Sequence, residues 1–571
     1  MSDDNGPLYL GFDLSTQQLK AIVVNSDLKT IAQAKVDFDG DFARDYEIHK
    51  GVHVREETGE VFAPVAMWME SLDLVLERLY QEMPVSMSRI CGVSGSGQQH
   101  GSVFWNSDAE ELLRELDPKE DLVTQLTDAL AHEWSPNWQD QSTQKECDAF
   151  DSALGDREKL AEVTGSGAHH RFTGPQIMRL RQVLPRMYAN TSRISLVSSF
   201  LASLLLGSIA PLDVGDVCGM NLWDIPKQEY SSELLALAGG EQGADDLRKK
   251  LGEPQMDGGK SFGNISQYFV YKYGFNPDCQ VVPFTGDNPA TILALPLRPL
   301  DAIVSLGTST TFLMNTPAYK PDGSYHFFNH PTTKGHYMFM LCYKNGGLAR
   351  EKVRDALPNA APAGQASWDE FNKAVLNTPP LDVARDGDKA KLGLYYYLRE
   401  TVPNIRAGTF RFHCETDGSN LQQASEWSRE VDPRIIVESQ SLSMRLRSQK
   451  LVHSPRDSLP AQPRRIYLVG GGSMNPAIAR VVGDVLGGAD GVYKLDVGGN
   501  ACALGGAYKA LWALERKQGE TFDELIAKRW KEEGSIERVD HGFKDGIYQK
   551  YGEVLGAFGE MENKLLAEEK S

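Results

Sequence analysis

One pattern occurs twice in this chain, and it constrains the fold more than any other feature. An apolar run, Tyr9 to Phe12, ends in Asp13 and enters the polar turn Leu14-Ser15-Thr16-Gln17-Gln18, after which a second apolar run, Ala21 to Val24, stops at Asn25-Ser26-Asp27. The same order returns as Ala302 to Ser305, Leu306-Gly307-Thr308-Ser309, Thr311 to Met314 and the stop Asn315-Thr316-Pro317. Short apolar runs bounded by turn residues predict strands, so each copy predicts a hairpin. A second pair follows the first: Arg89 to Val93 runs into Ser94-Gly95-Ser96-Gly97, and Arg465 to Val469 runs into Gly470-Gly471-Gly472-Ser473. Two copies in one order predict a duplicated architecture with longer insertions in the second half. Gln449 to Arg464, which holds Pro455, Pro460 and Pro463, predicts one such surface loop. Ile31 to Phe38 predicts a third strand, and Val65, Trp68, Met69, Leu72, Leu76 and Leu79 recur at helical spacing.

At 571 residues the chain exceeds the roughly 250 to 300 at which a single core stops growing. Two large domains are expected, 1–297 and 298–571, divided where Pro296-Leu297-Arg298-Pro299 punctuates the chain. A formal net charge of -19 opposes attraction to nucleic-acid phosphates or anionic lipid, so no nucleic-acid or membrane partner is expected. The seven cysteines lie far apart without a CxxC, against both a disulfide framework and a thiolate zinc site. A reduced cytoplasmic setting fits them, and the acidic start Met1 to Gly6 shows no basic or apolar leader. Ile194 to Leu212 is free of charge, but its serines, glycine and proline predict a buried helix followed by a loop.

Bound phosphates need several donors on one concave backbone, and a tight turn of small hydroxyl residues supplies amide and side-chain donors together. Ser15-Thr16-Gln17 and Gly307-Thr308-Ser309 both qualify, although an ordinary solvated hairpin carries such residues too. The copies differ before the turn, where the first has Asp13 and the second Ser305. A carboxylate beside phosphate is repulsive unless a divalent cation lies between them, which makes Asp13 the candidate on the metal side, with an amide-bonding turn Asp as the plainer alternative. Asp287-Asn288, in Thr285-Gly286-Asp287-Asn288-Pro289-Ala290, follows an apolar run and precedes a helical segment. An acid there can accept a proton from a substrate hydroxyl, or simply cap the helix. Gln98, Gln99 and His100 offer donors and acceptors between glycines, as a polyhydroxylated ligand or a polar loop would need. Gly470 to Asn475 enters a helix-like run but fails G-x-G-x-x-G, because Asn475 stands at the last glycine. Gly258-Gly259-Lys260-Ser261 lacks the first glycine of a P-loop, where Pro254 stands, and no zinc site is expected at the adjacent His169-His170, whose side chains should point apart.

Together these residues resemble the FGGY carbohydrate kinases over nearly the whole chain. The likeness rests on Gly11 to Gln18, Ser94 to Gly101, Gly286-Asp287-Asn288, Ser305 to Ser309, Gly470 to Asn475 and Ala503-Leu504-Gly505-Gly506-Ala507. It implies an α/β fold with two ribonuclease-H-like domains, of actin and hexokinase type, closing on a catalytic cleft. It implies further that Gln99, His100, Arg171, Asp287 and Asn288 contact the sugar, with Asp287 the general base. Asp13, Thr16 and Gln17 would belong to the first phosphate motif, and Gly307, Thr308 and Ser309 to the second. Gly471, Gly472 and Asn475 would line the adenosine pocket, with Trp368 against the nucleotide or else in a helix-face core. The activity implied is ATP- and magnesium-dependent phosphorylation of D-xylulose. Family members acting on ribulose, a heptulose or glycerol, and a non-catalytic sugar sensor, are the alternatives. Gly346 to Arg350 follows the family's second signature only in part, and Tyr319 to Met340, like 449–464, reads as an insertion without a site. The oligomeric state is not legible in the residues.

Overall fold

A computed structural model describes residues 6–83, 85–358, 367–495 and 499–570. The chain folds into two mixed α/β units, and the division is not a single cut. The first unit comprises Met1–Leu297, Pro321–Met338 and Asn500–Trp530, and the second comprises Arg298–Lys320, Phe339–Gly499 and Lys531–Ser571.

The first unit is built on a seven-stranded sheet of β1 (Leu8–Leu14), β2 (Gln18–Asn25), β3 (Thr30–Asp37), β4 (Ile90–Gly97), β5 (Gly263–Asn264), β6 (Gln280–Val281) and β7 (Thr285–Gly286). Its order is β5-β6-β4-β1-β2-β3, with β7 also on β4. β1 pairs antiparallel with β2, closing the first predicted hairpin, and parallel with β4. Every residue of β1 is buried, which is why it reads as an unbroken apolar run rather than an alternation. The helix α1 (Val65–Glu82) buries Val65, Trp68, Met69, Leu72, Leu76 and Leu79, the stripe predicted, and packs on β2 and β3. Ile194 to Leu212 becomes the end of a short strand, then the buried helix α2 (Val197–Leu206), then a loop. Among the described residues no helix is long and apolar enough to cross a membrane.

The helix Ala501–Glu515 packs directly on β1 and β4, and Gly506 makes that possible. A Cβ on Gly506 would fall 2.6 Å from the Gly95 Cα, and one on Gly11 would fall 1.9 Å from the Ala503 carbonyl oxygen. Helix and sheet thus approach to backbone contact, which only glycine permits on both sides.

In the second unit, β8 (Ala302–Leu306), β9 (Thr310–Thr316), β10 (Ile466–Val469), β11 (Val492–Leu495) and β12 (Ile536–Asp540) lie in the order β9-β8-β10-β11-β12. β8 pairs antiparallel with β9 and parallel with β10. The relation of β1, β2 and β4 is therefore repeated, as the duplicated sequence pattern predicts. Around this sheet stand α4 (Gly347–Asp355), α5 (Asp369–Asn377), α6 (Asp432–Ser448) and α7 (Pro476–Leu486), while α3 (Asp287–Thr291) belongs to the first unit. Residues 449–465 form no strand or helix, in keeping with a loop there.

Candidate active site

In the first unit the carboxyl ends of β1, β4 and β7 bring the candidate residues together. Asp13, at the end of β1, lies opposite Ser96 in the parallel register, and the Ser96 hydroxyl donates to Asp13 Oδ1 at 3.1 Å. Burial pushes the Asp13 carboxyl up to about 6, against the opposing pull of the Lys20 charge and of Ser96. The Ser15 amide donates to the Gln18 carbonyl at 3.0 Å, so Thr16 and Gln17 form the tip of a tight turn. The Thr16 hydroxyl accepts from Trp138 Nε1 at 2.8 Å and donates to Gln98 Oε1 at 3.4 Å, while Gln17 is exposed. Asn137 Nδ2 donates to the same Gln98 oxygen at 2.6 Å.

Asp287 is the first residue of α3, where the amide of Asn288 donates to its Oδ1 at 2.8 Å. Asn288 Nδ2 reaches the same oxygen at 3.1 Å and Gln99 Oε1 at 2.9 Å, so one amide group ties Asp287 to the loop that carries Gln99 and His100. Burial, and after it the charge of Asp13, pushes the Asp287 carboxyl up to about 7; the Asn288 amide and Arg171 oppose this. Gly286 is required by close approach, since a Cβ there would lie 2.4 Å from Gln99 Cγ and 2.6 Å from Asp216 Oδ1.

His100 holds a left-handed backbone, φ 76°, a strained state for a residue with a side chain. Its ring stacks on Phe172 at 4.6 Å, and Nδ1 lies 2.9 Å from the Gly219 carbonyl. Burial, then Arg171, holds the imidazole well below its usual range, so it is neutral, Nδ1–H is the donor and Nε2 is left as an acceptor. Arg171, buried, donates from Nη2 to His326 Nε2 at 2.9 Å, and His326 Nδ1 stands 2.9 Å from the Ser166 hydroxyl. His326 comes from the stretch 319–340, which the sequence reading left without a site.

The second unit holds a cavity of about 530 Å³ lined by Gly307, Thr308, Trp368, Gly471, Gly472 and Asn475 among others. Ser309 does not line it. Gly470, at φ 83°, turns the chain out of β10 into a single 3₁₀ turn, Gly471–Met474. Asn475 then caps α7, its Oδ1 accepting from the amides of Ala477 and Ile478 at 3.0 and 3.2 Å. Asn475 Nδ2 donates to Asn372 Oδ1 of α5 at 2.7 Å, and Trp368 caps the same helix. Trp368 is thus half-buried on the cavity wall rather than in the core, with the Arg354 guanidinium 4.6 Å from its ring centroid.

Trp138, His326 and Arg350 are among the residues of these two groups that the sequence does not single out. Arg350 sits inside the partial second signature, whose glycines, Gly346 and Gly347, were the only available signal.

Models of the FGGY family of carbohydrate kinases match this chain, the N-terminal domain over residues 134–294 and the C-terminal domain over 302–514. The chain belongs to the FGGY family of carbohydrate kinases. It is 58% identical to the probable D-xylulose kinase A of Neosartorya fischeri over 567 residues, covering 99% of each chain. To D-xylulose kinase A of Aspergillus niger it is likewise 58% identical over 567 residues, with 99% of each chain covered. The xylulose kinase structure from Rhodospirillum rubrum shares the fold at a TM-score of 0.74 and 16% identity, covering 98% of this chain and 99% of that one. The two-domain α/β fold expected from the sequence is the one found.

Proposed function

We propose that this chain transfers the γ-phosphoryl group of ATP to the terminal hydroxyl of D-xylulose, giving D-xylulose 5-phosphate. The chemistry is carried by one observation: Asp287, a part-buried carboxyl raised to about 7, is held by Asn288 and Gln99 beside His100 and Arg171. A base with a pKa near the working pH accepts a proton most effectively as the hydroxyl attacks. Arg171 and the neutral His100 supply a donor fork and an acceptor for sugar oxygens. The choice of sugar rests on the 58% identity with the two fungal kinases over their full length.

The cavity of the second unit is assigned to ATP, with Trp368 toward the base and Gly307 and Thr308 toward the phosphates. Magnesium fits Asp13. A carboxyl that burial pushes up to about 6 ionises readily once a cation stands beside it, and magnesium uses one or two protein carboxylates together with water and phosphate oxygens. The cation would neutralise charge on the phosphates, and Asp13 would hold it. Seven scattered cysteines without a CxxC suit a reduced cytoplasm.

Asp287→Asn tests the assignment. We expect turnover on D-xylulose to fall at least about 100-fold, with sugar affinity changed little, because a neutral amide fills the same space but takes no proton. Turnover within a few-fold of the unaltered protein would remove Asp287 as the base.

A further inference from the structure

A cation buried without a salt bridge is costly, and among the described residues the cavity of the second unit contains one. Arg350, on the inward side of α4, is only 2% exposed and lines the cavity, yet no carboxylate among the described residues forms a salt bridge with it. Among the described residues its guanidinium makes one hydrogen bond, from Nη1 to Gln440 Oε1 at 2.7 Å. Gln440 is itself oriented, because its Nε2 donates to the carbonyls of Asn345 and Gly346 at 2.8 and 3.1 Å. The guanidinium is thus aimed by a neutral side chain tied to the loop that opens α4. Its other end faces the glycine-rich turn: a Cβ on Gly472 would come 3.4 Å from Nη2.

Burial pulls Arg350 down to about 10 against the opposing charge of Glu351, so the group is still a cation at neutral pH. Buried arginines are normally paired, and a lone one costs several kcal/mol unless an anion arrives to complete it. A planar fork of donors is also the side chain best matched to phosphate oxygens. Gly307, Thr308 and Gly472 line the cavity with it, and Glu351, the one carboxylate of that lining, forms no salt bridge with it among the described residues.

We infer that Arg350 binds a phosphate group of the nucleotide, and that Gln440 is the positioning residue that aims it. This rests on the assignment of the cavity to ATP. It gives the pocket a means of preferring a nucleotide to the bare nucleoside, because only the former brings the anion that the buried cation lacks.

The test uses the full-length protein and Trp368, which lines the same cavity, as a fluorescence reporter for titration with ATP, ADP and adenosine. Replacing Arg350 by Met should weaken ATP and ADP about 10- to 100-fold, the range for a charge-assisted hydrogen bond, and leave adenosine within about twofold. Arg350→Lys, which keeps the charge but not the fork, should lose less, and it serves if the Met variant does not fold. Loss of adenosine binding in proportion to ADP, in either variant, would make Arg350 a structural residue and overturn the inference. Unchanged ADP affinity would overturn it too, while leaving the cavity as the nucleotide site. An unaltered protein that binds none of the three would instead defeat the assignment of the cavity, and this inference with it.

Discussion

Asp287 sets a pH dependence whose sign can be worked out. A base must be ionised, and with its carboxyl raised to about 7 the kcat/KM for the sugar should climb through that pH and level off above it. The same shift acts on stability in the opposite sense. A carboxyl raised in the folded state adds stability that is present in full below the ordinary carboxylate range and is lost as pH rises through about 7. Asp287→Asn, which never ionises, should therefore melt higher than the unaltered protein at pH 8 and lose that advantage at pH 4. Thermal melts at the two pH values check this, and an equal gap at both would contradict it. His326 offers a separate test at this scale, since His326→Ala removes an acceptor from Arg171. The KM for the sugar should rise about 5- to 30-fold with kcat nearly kept, as expected for an orienting hydrogen bond to a charged group. A fall in kcat alone would contradict it.

At the scale of elements, the helix Ala501–Glu515 and the strands under it form a joint with no spare volume. Gly506→Ala places a Cβ 2.6 Å from the backbone of Gly95, so strand or helix must shift, at about 1–3 kcal/mol of stability in denaturant melts. The same helix contributes Lys509, whose Nζ lies 2.9 Å from Asp213 Oδ2 with both side chains fully buried. Asp213 also accepts from the Thr285 hydroxyl at 2.6 Å, two residues before Asp287. Lys509→Met should cost about 3–5 kcal/mol by stranding a buried carboxylate, and adding Asp213→Leu should restore much of the loss. Equal losses in the single and double variants would show that the pair matters only through its packing. In the second unit, Asn475→Ala removes a helix cap and should cost about 1 kcal/mol.

Across the whole molecule, the parts legible in the sequence are those written in one stretch of chain. The two hairpins, the strands entering glycine-rich loops and the stripe of α1 each follow from local periodicity and turn chemistry. The residues at the strand ends, Asp13, Thr16, Gln99, His100, Asp287 and Gly471 among them, belong to those same stretches. What could not be read is pairing across the chain. His326 reaches Arg171 from an insertion, Trp138 reaches Thr16 from another loop, and Lys509 reaches Asp213 from a late helix. Each looks like an ordinary residue until the fold brings its partner near. Arg350 shows the converse, because a helical arginine reads as a solvated charge and only its burial without a salt bridge among the described residues marks it out.

The central claim, a kinase that phosphorylates D-xylulose from ATP, is met most directly by following ADP release with magnesium and ATP against D-xylulose, D-ribulose, L-ribulose, glycerol and a control without sugar. Saturable release that is strongest with D-xylulose, and slow release in the control, is the predicted result. Strong release with another of these sugars and little with D-xylulose would contradict the substrate, and no release with any of them would contradict the proposed chemistry.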